Sequence, residues 1–222
     1  MPNSNPLPVA IEFGPKGKKV VAVARDWPGL SRGAANEDLA LNRLQSYIPR
    51  YRSIARRAGL AIDAAELEVV ERYAGTGSTD FWGISFAYSA FDNQPMSAAE
   101  LERELSLMQA CWAEFDDIRG RVSAEMRKGP RGGGRDRDRI VSHTIDVEAD
   151  WRKNVGLKPT DDIPLSDEAL RAHRESYCAA FRLRHETKTH TGKSPLRYLI
   201  RHTAFHTMDH AWEMEDKDLT GT

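Results

Sequence analysis

Cysteine is scarce: the 222-residue chain has two, Cys111 and Cys178, with no Cys-x-x-Cys spacing. Each sits in an apolar helical pattern, MQACWAEF and ESYCAAFRL. That setting suits buried reduced thiols better than a disulfide or a thiolate metal site. Long apolar runs are missing too, and nothing approaches the ~20 residues that cross a bilayer. The N-terminus, MPNSNPLPVAIEF, lacks the basic start and apolar core of a secretory leader. A cytoplasmic location without a membrane partner is therefore expected. Neither sign of charge prevails, since 32 basic and 33 acidic residues leave a formal net charge of -1. Nothing in that balance calls for a polyanionic partner.

What is present is a 40% hydrophobic, 29% charged composition, enough apolar material for a real core. Residues 1–92 read as a small α/β module. KKVVAVARDWPG is a β-branched strand closed by Pro28 and Gly29. Residues 37–58 have helical spacing, with Leu39, Leu41, Leu44, Ile48 and Ile54 apolar, a kink or split expected at Pro49 and a stop at Gly59. LEVVERY and FWGISFAY read as two further strands around the turn AGTGST.

Residues 97–218 read as helix only. Ser97 and Glu100 make a capping box for a first helix to about Met126. GPRGGG breaks the chain before a second helix, about Asp138 to Asn154. The loop GLKPTDDIPL leads to a third, started by Ser166 and running to about Thr187. Ser194 as cap and Pro195 as first helical residue start the fourth, which ends near Asp216. Four amphipathic helices of this length are the content of a four-helix bundle, so the expected class is α+β.

The fourth helix carries His202, His206 and His210 at four-residue intervals. A step of four advances about 400°, so the rings share one slowly drifting face. Neutral imidazole is a good transition-metal ligand, and two one turn apart can hold one ion. A further ligand must come from elsewhere. His143, in RIVSHTIDVEADW, sits near the apolar face of Ile140, Val147 and Trp151. His173, His185 and His190 lie among charged residues and read as exposed. Asp209 and Glu213 can fix the second ring nitrogen of a ligand, and Asp146 is a further such group. Trp151 and Trp212 read as core packing. The helix bearing Arg50, Arg52, Arg56 and Arg57 is followed by Asp63, Glu66 and Glu68, a mixed surface that does not suggest nucleic acid.

The segment Arg201 to Asp216, R-x-x-x-x-H-x-x-D-H-A-W-E-x-E-D, resembles the final helix of DinB-like bundle proteins. His143 ahead of Glu148 and Trp151 is similar to the earlier ligand helix of that superfamily. The likeness covers about residues 95–218. It implies an up-down-down-up bundle holding a divalent metal on His143, His206 and His210, with His202 one turn above as an outer or channel residue. It also implies an enzyme whose metal, of zinc, nickel or iron type, activates a thiol or water toward a small-molecule substrate. Characterised members include thiol-dependent isomerases and transferases that use bacillithiol or mycothiol, so a low-molecular-weight thiol is a candidate cofactor. Asp209, Glu213 and Arg201 are then the catalytic candidates, Arg201 as a substrate anchor. Bundle families suggest a homodimer. Residues 20–33, VVAVARDWPGLSRG, resemble a HicB-like module. The alternative from another class is a non-catalytic interaction or regulatory protein with a structural metal or none.

Overall fold

Strand β1 (Leu7–Phe13) and strand β2 (Val20–Ala24) are buried at nearly every position. Strands covered on both faces read as continuous apolar runs, and these do. The computed structural model describes residues 6–63, 66–129, 133–158, 160, 163–188 and 194–220. The tight turn at Pro28 and Gly29 leads from β2 into β3 (Ser31–Ala34). Gly29 has φ 93°, and a Cβ there would lie 3.0 Å from the Cys111 sulfur and 3.3 Å from the Ala204 carbonyl. Helix α1 (Glu37–Arg57) then crosses over to β4 (Leu67–Ala74). The sheet order is β3-β2-β1-β4, with β1 antiparallel to β2 and parallel to β4, and β2 antiparallel to β3.

Helix α1 starts at Asn36, whose side chain accepts from the Leu39 N–H at 2.9 Å. It buries Ala40, Leu44, Ile48, Tyr51, Ile54 and Ala55 against β2, β3 and the first long C-terminal helix. Pro49 does not split it: the helix runs through, with the proline on an exposed position.

The strand expected over FWGISFAY is absent. Thr76 and Thr79 form a capping box that makes a short helix, α2 (Gly77–Trp82), and Gly83 at φ 73° ends it. The chain then runs without helix or strand to Ser97. The physical reason is Glu12, buried on β1. Its carboxylate accepts from the Phe86 N–H at 3.1 Å and from the Thr79 and Ser85 hydroxyls at 2.5 Å. Backbone donors that a strand would spend on a ladder go to that carboxylate instead.

The four long C-terminal helices are α3 (Ala98–Arg121), α4 (Arg137–Trp151), α5 (Asp167–Thr187) and α6 (Leu196–Asp216). The Ser97 and Glu100 capping box and the Ser166 cap form as the pattern predicts. Helix α3 stops at Arg121, short of Met126, and α4 gives way to a 3-10 turn at Arg152–Val155 closed by Gly156. Pro195 occupies the cap position of α6 itself, and Ser194 makes no cap. Its hydroxyl pairs with that of Tyr88 at 2.9 Å instead, and its carbonyl accepts from Arg184 at 2.7 Å. Helix α6 packs on α3 and α4, and α5 packs on α3.

The protein is thus a mixed α+β structure. One apolar cluster joins Ile11 of the sheet, Tyr51 of α1, Phe115 of α3, Tyr177 of α5 and Trp212 of α6. A smaller one holds Ile145, Ala149, Ile163 and Leu170. Among the described residues no helix is long and apolar enough to cross a membrane.

Candidate metal centre

Helix α6 is buried almost all round, from Arg197 through Met214, because α3, α4 and the 84–96 segment each cover part of it. Its histidines meet α4. The rings of His143 and His206 are 5.4 Å apart between centroids, those of His143 and His210 5.0 Å, and those of His206 and His210 4.6 Å. One nitrogen from each lies within 4.8 Å of the others. Tetrahedral zinc with bonds of ~2.1 Å sets ligand nitrogens about 3.4 Å apart, so closing on one ion needs displacements of about 1 Å. The donor set therefore fits a divalent ion of the kind imidazole prefers.

Electrostatics favours the ligand form. Burial pushes the His206 pKa down to about 2, and the neighbouring rings of His210, His202 and His143 add to the shift. Burial, then Arg135 and His210, lowers His143 as well. Both rings are neutral at pH 7, with a lone pair to offer. His210 Nδ1 donates to Glu213 at 2.8 Å, which directs its Nε2 lone pair elsewhere. That bond, followed by a second from Lys217, brings the Glu213 carboxyl down to about 2.

The remaining candidates separate. Asp209 is exposed, and its carboxylate lies 3.4 Å from Arg32; the carboxylate on the cluster is Glu213. Asp146 is exposed on α4. Arg201 is buried and clasps Asp92, Nη2 to Oδ2 at 2.6 Å and Nε to Oδ1 at 3.1 Å, while Nη1 donates to Ser85 at 2.9 Å. Burial alone lowers a guanidinium pKa, and Asp92 reverses the sign and raises it. Trp151 sits against the cluster, 5.3 Å from the His206 ring and 4.7 Å from that of His202. Trp212 lies elsewhere, beside Tyr47 and Arg32.

His202 is buried between Trp151, Phe86 and Tyr198, and its Nδ1 has no hydrogen-bond partner. His173 corrects the expectation of an exposed ring. It is buried, with Nε2 2.7 Å from Glu148 and Nδ1 2.7 Å from an Arg152 nitrogen. Since a guanidinium only donates, Nδ1 accepts and Nε2–H donates to Glu148. Glu148 also accepts from the Trp112 indole at 2.7 Å. This network joins α3, α4 and α5 and fixes the rotation of the helix that carries His143. The spacing of Leu170, His173, Tyr177 and Phe181 on one helical face was the available signal. His185 is half-buried and meets the Met96 carbonyl at 2.8 Å, while His190 lies outside the described residues.

The outer side of His143 borders a shallow depression of about 450 Å³, lined by Arg135, Asp138, Arg139, Ser142 and Asp146. No family model matches the chain, and no curated protein or solved structure matches it.

Proposed function

We propose that His143, His206 and His210 hold one divalent metal ion, and that the protein is a metal-dependent enzyme of the DinB-like kind built on a C-terminal four-helix bundle. The observation that carries this reading is the convergence of one histidine from α4 with two from α6, each with a nitrogen within 4.8 Å of the others. Zinc, nickel and iron all suit three imidazoles. Three protein ligands and an open position would let the ion lower the pKa of a bound thiol or water and supply a nucleophile at neutral pH.

The chain's own residues have defined parts. Glu213 orients the His210 ring and, tied to Lys217, is an orienting group rather than a free base. Trp151 covers His206 and His202 and excludes water from that side. Arg201 holds the 84–96 segment on α6 through Asp92 and Ser85, a positioning task in place of substrate anchoring. A substrate would approach over the depression beside His143.

Metal content of purified protein is the test. About one ion per chain, lost in His206→Ala and His143→Ala and kept in His185→Ala, is the expected result. Chelator-free protein with no ion, and no uptake of zinc, nickel or iron on titration, overturns it.

A structural ion that staples α4 to α6 is the second reading, favoured by the burial of His210 and the shallowness of the adjoining depression. Cobalt-substituted protein titrated with a low-molecular-weight thiol separates the two. A thiolate-to-cobalt charge-transfer band marks an open position, and an unchanged spectrum marks a closed structural site.

A further inference from the structure

On another face of α6, around Phe205 and Asp209, lies a cavity of about 360 Å³ whose chemistry differs from that of the histidine cluster. Its walls come from the turn before β2, from β3, from the end of α2 and from α1. Four cationic side chains line it, Lys18, Lys19, Arg32 and Arg43, against the single carboxylate of Asp209. The whole chain is nearly neutral, so this local excess is not a reflection of composition.

Arg32 is the unusual member. Its side chain is 4% exposed and lies between two aromatic rings, 3.8 Å from the Tyr47 centroid and 4.2 Å from that of Trp212. Such ring contacts favour the cation. Its polar contacts are sparse: one Nη1 reaches the Ser31 carbonyl at 2.8 Å and Asp209 at 3.4 Å. Nε is buried with no partner, and so is the Ser31 hydroxyl. Burial, only partly offset by Asp209, lowers the Arg32 pKa to about 10, which leaves it charged at pH 7. A buried cation that the protein leaves short of acceptors is costly unless something completes it.

The rim supplies a second kind of contact. Trp82 lines the cavity yet is 64% exposed, with Phe81 edge-on against it at 4.5 Å. The rim is held tightly there, since a Cβ on Gly33 would lie 2.1 Å from the Gly83 carbonyl oxygen. A rigid cationic pocket beside an uncovered indole offers charge at one end and a flat apolar surface at the other.

We propose that this cavity binds a small organic anion, a phosphate or carboxylate carried on a planar ring. The oxyanion meets Arg32, with Lys18 and Arg43 closing over it, and the ring lies on Trp82. An oxyanion in the cavity supplies an acceptor at the edge of the Arg32 guanidinium that stays open, and the paired N–H groups of arginine are the strong form of that contact. The site is separate from the histidine cluster and does not rest on the presence of a metal.

Isothermal titration at low ionic strength tests it with four probes: phenyl phosphate, benzoate, inorganic phosphate and phenol. The expected result is saturable binding of phenyl phosphate or benzoate, which also tells phosphate from carboxylate, and weaker binding of inorganic phosphate and phenol. Arg32→Lys, which keeps the charge and loses the fork, is expected to weaken it at least about tenfold. Arg32 is part of the core, so the surface double variant Lys18→Ala/Arg43→Ala serves as the second probe and is expected to do the same with an unchanged melting temperature. His206→Ala leaves binding intact. The proposal is overturned if neither ring-bearing anion binds, if phenol binds as well as phenyl phosphate, if affinity survives both the lysine substitution and the double variant, or if His206→Ala abolishes it.

Discussion

His202 sits one turn before His206, with its ring stacked on Tyr198 at 5.1 Å and its Nδ1 unpartnered. Burial first, and the adjacent Arg201 next, press its pKa down to about 3. The unfolded chain binds that proton at an ordinary histidine pKa near 6.5. Between those values the unfolded state holds more protons than the folded one, so stability is full above about pH 6.5 and falls as the pH drops toward 3. His206 is lowered over the same window, so His202→Phe is expected to reduce the slope of the denaturation midpoint against pH without abolishing it, and an unchanged slope would remove His202 as a contributor. Glu213→Gln tests the neighbouring contact: losing the carboxylate on His210 should weaken metal affinity by about 10–100-fold, measured by competition with a chelator. The histidine spacing and the nearby Glu213 are visible in the sequence because they are local to one helix. The partner of Arg201 is not, since Asp92 lies 109 residues back, beyond the end of FWGISFAY, in a stretch with no local pattern that points to α6.

Helix boundaries marked by caps are legible, because a cap is a short-range hydrogen bond encoded within four residues, as at Ser97 and Ser166. The segment FWGISFAY misleads because β-branched and aromatic composition reports fitness for a half-buried surface, not hydrogen-bond partners. The partner is Glu12, a buried acid within an apolar strand, which no local pattern reveals. Helix α1 carries two tests. Pro49→Ala restores an N–H inside the helix and removes the ring's clash with the preceding turn, a helix-propensity gain of up to about 3 kcal/mol with the unfolded chain already included. A gain in denaturant unfolding is expected, and a loss would mean that the proline is accommodated without penalty. Tyr51→Phe removes a buried hydroxyl that donates to the Pro28 carbonyl at 2.5 Å, and should lower stability by about 1–3 kcal/mol.

At the scale of the molecule, the sheet, α1 and the C-terminal helices share one apolar cluster, while α4 joins α6 through the histidines. An ion held there as proposed would bind the folded chain in preference to the unfolded one. At a hundredfold excess over Kd it adds about 2.7 kcal/mol. For a chain of 222 residues that is a rise of about 5–10 °C in melting temperature. The rise should vanish in His143→Ala, since removing the α4 ligand leaves only two imidazoles on one helix to hold the ion. The most direct measurement is X-ray absorption at the zinc edge of the loaded protein. Three imidazole nitrogens at about 2.0–2.1 Å, with one further light ligand, are expected. A shell of oxygen atoms without imidazole scattering would place the ion elsewhere and contradict the shared centre of His143, His206 and His210.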